Sequence, residues 1–140
     1  MSIVRWLAVG SVVVMMAVGV GCASVTPIPY EPQPARISNP REEINTLILA
    51  NTVQGCITKV EFSERLMVVK FACANSGGGG VGNGVVRLDS IDHISLQQSG
   101  EWYRVLVHQR GAEDFGWTSK NLIDIQRLAD AFTALSKSAK

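Results

Sequence analysis

Residues 56–73 read CITKVEFSERLMVVKFAC, and the alternation inside them decides the fold. With Glu64 and Arg65 in a turn, Phe62 falls opposite Met67, Val60 opposite Val69, Thr58 opposite Phe71 and Cys56 opposite Cys73. Alternate strand residues point the same way, so these eight share one nearly apolar face. Lys59, Glu61, Ser63 and Lys70 take the other. A one-residue slip would scramble both faces, so the pattern fixes the register of a hairpin with strands Gly55–Phe62 and Leu66–Ala74. That register also brings Cys56 and Cys73 within disulfide range if the pair is non-hydrogen-bonded.

Upstream, Asn39-Pro40-Arg41-Glu42 marks a helix start. Asn39 can cap, Pro40 suits the first helical position, and Glu42 is placed to reach back to the cap. Ile44, Leu47, Ile48 and Asn51 share a face of the short helix predicted over Pro40–Asn51. Before it, ASVTPIPYEPQPARIS (Ala23–Ser38) carries Pro27, Pro29, Pro32 and Pro34. Alternating prolines favour extended polyproline II, and at ~3.1 Å per residue the segment would hold a domain up to roughly 50 Å from its attachment. A tether is the expectation; a proline-rich ligand for a partner's groove is the alternative.

Downstream, Asn75–Gly84 (NSGGGGVGNG) contains G-x-G-x-x-G at Gly77, Gly79 and Gly82. A dinucleotide site needs a helix to follow, and Val85–Leu88 reads as a strand; a P-loop needs Lys and Ser or Thr after its last glycine. A mobile loop joining two strands is expected. Val85–Gln98 reads as two short strands kinked near Asp89-Ser90, Glu101–Gln109 as a strand after a Ser99-Gly100 turn, and Phe115–Thr118 as the last strand. In Glu101–Gln109, Tyr103, Val105 and Val107 face one way, while Trp102, Arg104, Leu106 and His108 face the other. Lys120–Lys137 is a helix, capped by Ser119 or Asn121, with the apolar stripe Leu122, Ile125, Leu128, Ala129, Phe132, Leu135. The expected class is α+β: mostly antiparallel sheet or partial barrel of about six strands, closed by the C-terminal helix.

Ile3–Cys22, IVRWLAVGSVVVMMAVGVGC, sets the address. Arg5 is the only charge in the first thirty residues, and Trp6–Gly21 is an apolar run of 16 residues broken only by Ser11. That is short of the ~20 residues a membrane-crossing helix needs. A basic start, a short apolar run and small residues before a cut site describe a secretory signal. Gly19-Val20-Gly21-Cys22, with aliphatic Val18 just before, resembles the lipobox of bacterial lipoproteins. The resemblance implies cleavage after residue 21 and a diacylglycerol on the Cys22 thiol. More than one acyl chain, at ~0.8 kcal/mol per buried methylene, makes a stable anchor. Ala23 follows, not the aspartate associated with inner-membrane retention, so the resemblance implies the outer membrane, facing the periplasm. An uncleaved anchor, or an ordinary signal with an incidental cysteine, is the alternative. An exported chain whose remaining cysteines number two predicts a Cys56–Cys73 bridge; two buried thiols is the alternative.

The expected organisation is a signal over 1–21, an acylated cysteine and proline-rich tether over 22–38, and one globular domain over 39–140. Cys22–Lys140 holds all 12 acidic residues and 12 of the 13 basic ones, so its charge is near zero. That argues against nucleic acid, which needs a basic face, and against a polybasic grip on anionic lipid. RLDSIDHISL with its beat at Leu88, Ile91 and Ile94, the strand EWYRVLVHQ and the closing helix LIDIQRLADAFTAL together resemble the pleckstrin-homology-like fold. The phosphoinositide-binding members of that fold cluster basic residues at the first hairpin. Here only Lys59 and Lys70 lie on its strands, and the turn is Ser63-Glu64-Arg65.

No catalytic signature emerges. His93 and His108 lack metal-ligand spacing. Ser90, Asp92 and His93 are too close in sequence to converge as a triad, and no G-x-S-x-G occurs. Neighbouring Glu113 and Asp114 read as solvated turn acids. No enzyme activity, cofactor or metal is expected. Trp102, Tyr103, Phe115 and Trp117 are expected mainly as core packing because aromatic rings carry so much apolar area, with a binding patch as the alternative if one or two of them stay exposed. These features point to a lipid-anchored envelope protein that binds a protein partner or supports an envelope assembly. The second reading is a periplasmic carrier or sensor of an apolar small molecule or lipid, using a pocket under the last helix.

Overall fold

A computed structural model describes residues 24–52, 56–73 and 81–140; the leader and Cys22 lie outside the described residues. In chain order the elements are β1 (Thr26–Ile28), α1 (Pro40–Ala50), β2 (Cys56–Phe62), β3 (Leu66–Cys73), β4 (Val81–Arg87), β5 (Ile91–Ser99), β6 (Trp102–Gln109), β7 (Phe115–Ser119) and α2 (Leu122–Ser138). The class is α+β. Seven strands form two antiparallel sheets, ordered β1-β5-β6-β7 and β2-β3-β4. This corrects the expectation of about six strands in one bent sheet or partial barrel: the sheets stay separate, and the additional strand is β1.

The hairpin folds in the register that its alternation dictates. Phe62 pairs Met67, Val60 pairs Val69, Thr58 pairs Phe71, and Cys56 pairs Cys73. Met67 and Val69 are fully buried, and Cys56 and Cys73 are joined by a disulfide with Cα atoms 4.0 Å apart. On the opposite face Lys59 and Lys70 flank Glu61 at 2.9 and 3.0 Å and hold its carboxyl below the usual range. Such exposed pairs contribute little to stability.

The glycine-rich segment is only partly the expected loop. Val81–Gly84 belongs to β4, where Gly82 pairs Phe71 and Gly84 pairs Val69. Residues 74–80 lie outside the described residues. The reason is a close approach of aromatic rings: a Cβ on Gly82 would lie 2.1 Å from the Phe71 ring, and one on Gly84 2.8 Å from Phe115. The kink expected near Asp89-Ser90 is a single 3-10 turn over Leu88–Ser90. Gly100 and Gly111, both at positive φ, shape the β5–β6 turn and the turn after β6.

Both helices start as their caps require. Asn39 Oδ1 accepts from the Glu42 N–H at 3.3 Å, while the Asn39 side-chain amide donates to Glu42 Oε2 at 3.0 Å. The glutamate thus grips the cap's side chain rather than its backbone. Asn121, one of the two residues expected to cap α2, accepts from the Ile123 N–H at 3.0 Å. The stripe of α2 from Ile125 to Leu135 packs on α1 and on β5, β6 and β7, in one core that also takes in Ile44, Leu47 and Ile48 of α1 and Met67, Val69 and Val86 of the other sheet, with Leu128 and Phe132 fully buried. One buried polar residue ties the sheets together. Gln109 Nε2 donates to the carbonyls of Val85 (3.1 Å) and Glu113 (2.7 Å), and its Oε1 accepts from the Arg87 N–H (2.7 Å).

The expected tether over Ala23–Ser38 is the largest correction. Thr26–Ile28 is an edge strand on β5, with Thr26 opposite Gln98 and Ile28 opposite Leu96. Pro27 is tolerated because an edge strand leaves one side of its backbone unpaired. Ile28, Tyr30 and Ile37 pack against the core. The clasp is Asp130 of α2, 2 % exposed, whose Oδ1 accepts from the Tyr30 hydroxyl and the Gln33 N–H, both at 2.7 Å. Burial, then the hydrogen bond and charge of Asp130, push the Tyr30 phenol up to about 12. Prolines that suit a free polyproline segment also suit a strap, provided each polar group finds a partner on the domain.

Candidate functional site

β6 begins, β5 and β7 end, and α2 starts at one pole of the four-stranded sheet. There Trp102 is 47 % exposed, and the Lys120 ammonium sits 5.1 Å from its ring centroid while pairing with Glu101 at 3.4 Å. Such a cation over an indole face is weakly attractive in water. Beside the ring runs an open groove of about 700 Å³, lined by Asn51, Thr52, Thr118, Ser119 and Asn121 together with Trp102 and Lys120. Its floor is fixed by hydrogen bonds between the end of α1 and the start of α2. Ser119 Oγ donates to Asn51 Oδ1 (2.6 Å) and accepts from the Asn121 N–H (3.0 Å). Asn51 Nδ2 donates to Leu47 O (2.8 Å) and Asp124 Oδ2 (3.2 Å).

Three of the four aromatics pack as core residues, as the favoured reading has it, and one stays exposed. Trp102 stands on the outer face of β6, while Tyr103, Phe115 and Trp117 pack towards the core. Phe115, 7 % exposed, lies between Trp117 (centroids 6.4 Å apart) and Phe132 (5.9 Å). The reason is parity: Trp117 pairs Val105 and Phe115 pairs Val107, so all share the inner face with Tyr103. The Trp117 indole N–H is buried without an acceptor, as the fit of the ring in the core leaves it. Trp102 alone remains available.

A second constellation was not read from the sequence. At the far pole His93 and His108 are register partners with rings stacked 4.1 Å apart. His93 Nδ1 meets Asp92 Oδ2 at 2.9 Å, which holds that carboxyl below the usual range. His108 Nδ1 meets Asp114 Oδ2 at 2.8 Å, and its Nε2 lies 2.8 Å from Ser95 Oγ. With Asp114 ionised, His108 donates from Nδ1, and a neutral ring accepts the Ser95 proton at Nε2. This is the connectivity of a serine, a base and its orienting acid. Hydrolysis also needs donors for an oxyanion and a cleft for substrate. Ser95 lies on the sheet face, and the neighbouring cleft lined by Pro32, Asp92, His93, Ile94 and Lys137 does not include it. The network links β5, β6 and the turn before β7. Asp89 and Ser90 stay apart from it, their side chains 3.4 Å from each other. The signal that could have found it is the Gly100-Glu101 turn, which fixes Ser99 opposite Trp102 and carries His93 to His108.

Among the described residues no group of three or more His, Cys, Asp or Glu side chains is placed to hold a metal, and no helix is long and apolar enough to cross a membrane. Cys22, the expected acylation site, lies outside the described residues. No family model, no curated protein and no solved structure matches the chain.

Proposed function

We propose that this chain is a lipid-anchored protein of the bacterial envelope, held at the outer membrane facing the periplasm, which acts by binding a protein partner and not by catalysis. The observation that carries the reading is the folded strap. Thr26 is already paired in the sheet, so Cys22 precedes the domain by only four residues. An acylated Cys22 would moor the domain at the bilayer, as a scaffold for other envelope components requires. The space between the sheets and α2 is filled by Met67, Val69, Leu128 and Phe132, all within 1 % of complete burial, which argues against a carrier with an internal pocket. The place of Ser95 on a sheet face, outside the neighbouring cleft, supports the non-catalytic reading. A pleckstrin-homology-like assignment belongs to the same proposal, supported by seven antiparallel strands and a closing C-terminal helix.

In-cell crosslinking followed by mass spectrometry tests the function, comparing the native chain with Cys22→Ala. A specific envelope protein captured by the anchored form alone is the expected result. An empty catch from both forms would contradict partner binding.

A further inference from the structure

We infer that the pole bearing Trp102 rests on the lipid surface that holds Cys22. This depends on the acylation proposed above and adds an orientation to it. The chain outside the described residues ends at this pole: Thr26 pairs Gln98, which in turn pairs Tyr103, the neighbour of Trp102. Two strand spacings, roughly 10 Å, separate β1 from β6. Four residues reach at most about 14 Å from Cys22 to Thr26. An acylated Cys22 therefore pins this pole within a few residues of the headgroups, whatever path residues 22–25 take. The His93–His108 pole lies six residues along β6, roughly 20 Å away.

The side chains at the pinned pole suit an interface. Of the seven large apolar residues exposed among the described residues, Leu49, Trp102 and Ile123 stand on elements that end or begin there, and Val25 immediately precedes β1. Tryptophan partitions to the headgroup level, where its ring is desolvated and its N–H stays hydrogen-bonded. Lys120 can bury its stem beside the indole while its ammonium meets lipid phosphate. Glu101 offsets that charge, so the attraction is apolar contact added to an acyl anchor and not a basic patch.

The test uses the full chain purified from membranes and reconstituted in vesicles of phosphatidylethanolamine and phosphatidylglycerol, with or without brominated acyl chains. Trp117→Phe leaves Trp102 as the only tryptophan after signal removal. If that variant fails to fold, the same quantity is native emission minus that of Trp102→Phe. A third chain, Trp102→Phe with Trp117→Phe and Arg110→Trp, reports from the far pole. The expected result is a blue-shifted Trp102 emission that falls roughly two-fold with brominated lipid, as an interfacial indole should, and no change for the far-pole reporter. Mass analysis of the N-terminal peptide separates the two ways to fail. An acylated peptide with unquenched Trp102 overturns the orientation alone, and so does protection of Trp102 by a bound protein instead of lipid. An unmodified peptide overturns the anchor and the orientation with it.

Discussion

Two segments close this domain by opposite means. The β2–β3 hairpin is fastened along its whole length, by a continuous ladder, an alternating apolar face and the Cys56–Cys73 disulfide. The strap from Thr26 to Ile37 is fastened at points: three paired residues on an edge strand, three partly buried side chains, and Asp130 gripping Tyr30 and Gln33. A fastening spread over many residues resists local opening. One that depends on a single buried carboxylate can open while the rest stays folded. The difference places the adjustable part of the molecule next to Cys22, the anchor proposed above.

The sharpest way to break this comparison is to cut both fasteners. Replacing Cys56 and Cys73 with serine removes the closure of a loop spanning 17 residues, at an expected cost of about 3 kcal/mol in urea unfolding, while Gln33 stays protected from hydrogen exchange. Asp130→Ala leaves the Tyr30 hydroxyl and the Gln33 N–H without their acceptor and should cost about 2 kcal/mol. Its loss should be confined to the strap, read as accelerated exchange there with β2 and β3 unchanged. A cooperative loss of the whole domain in Asp130→Ala would show that the two fastenings are not separable.

Tyr30→Phe removes one of the two clasp hydrogen bonds, at about 1 kcal/mol. The pH dependence sharpens it further. Folding raises the Tyr30 pKa from 10.0 to about 12, so the folded state holds the phenol proton more tightly than the unfolded chain. That contribution is complete below pH 10.0 and is lost as pH rises towards 12. Phenolate absorbance should show a late-titrating tyrosine that Tyr30→Phe abolishes. The smallest effect is expected at the other pole feature: Trp102→Ala should change stability by less than about 0.5 kcal/mol, since the side chain is an exposed one. Its consequence should be confined to the membrane.

What could be read in advance follows the range of the forces involved. The hairpin, the helix caps and the apolar stripe of α2 depend on neighbours two to four residues apart, so their residues announce them. Asp130 does not: it sits in α2 beside buried Ala129 and Ala131, and its partners Tyr30 and Gln33 are 100 and 97 residues away. Without those partners in view, a proline-rich stretch reads as free chain. The four aromatics were legible in the same local way as the hairpin, because alternation already set Trp102 against Tyr103 on opposite faces of β6. Gln109 was unreadable for the reason Asp130 was, since its role depends on β4 arriving from the other sheet. The Ser95–His108–Asp114 network needed the β5–β6 register and the following turn at once.

The measurement that tests the account most directly is hydrogen exchange at the Gln33 amide in the full chain at the membrane. A clasped strap predicts strong protection at Gln33 that Asp130→Ala removes. Exchange of Gln33 at the rate of an unstructured peptide would return residues 26–37 to a free tether, let the domain stand away from the anchor proposed at Cys22 and contradict the orientation built on it.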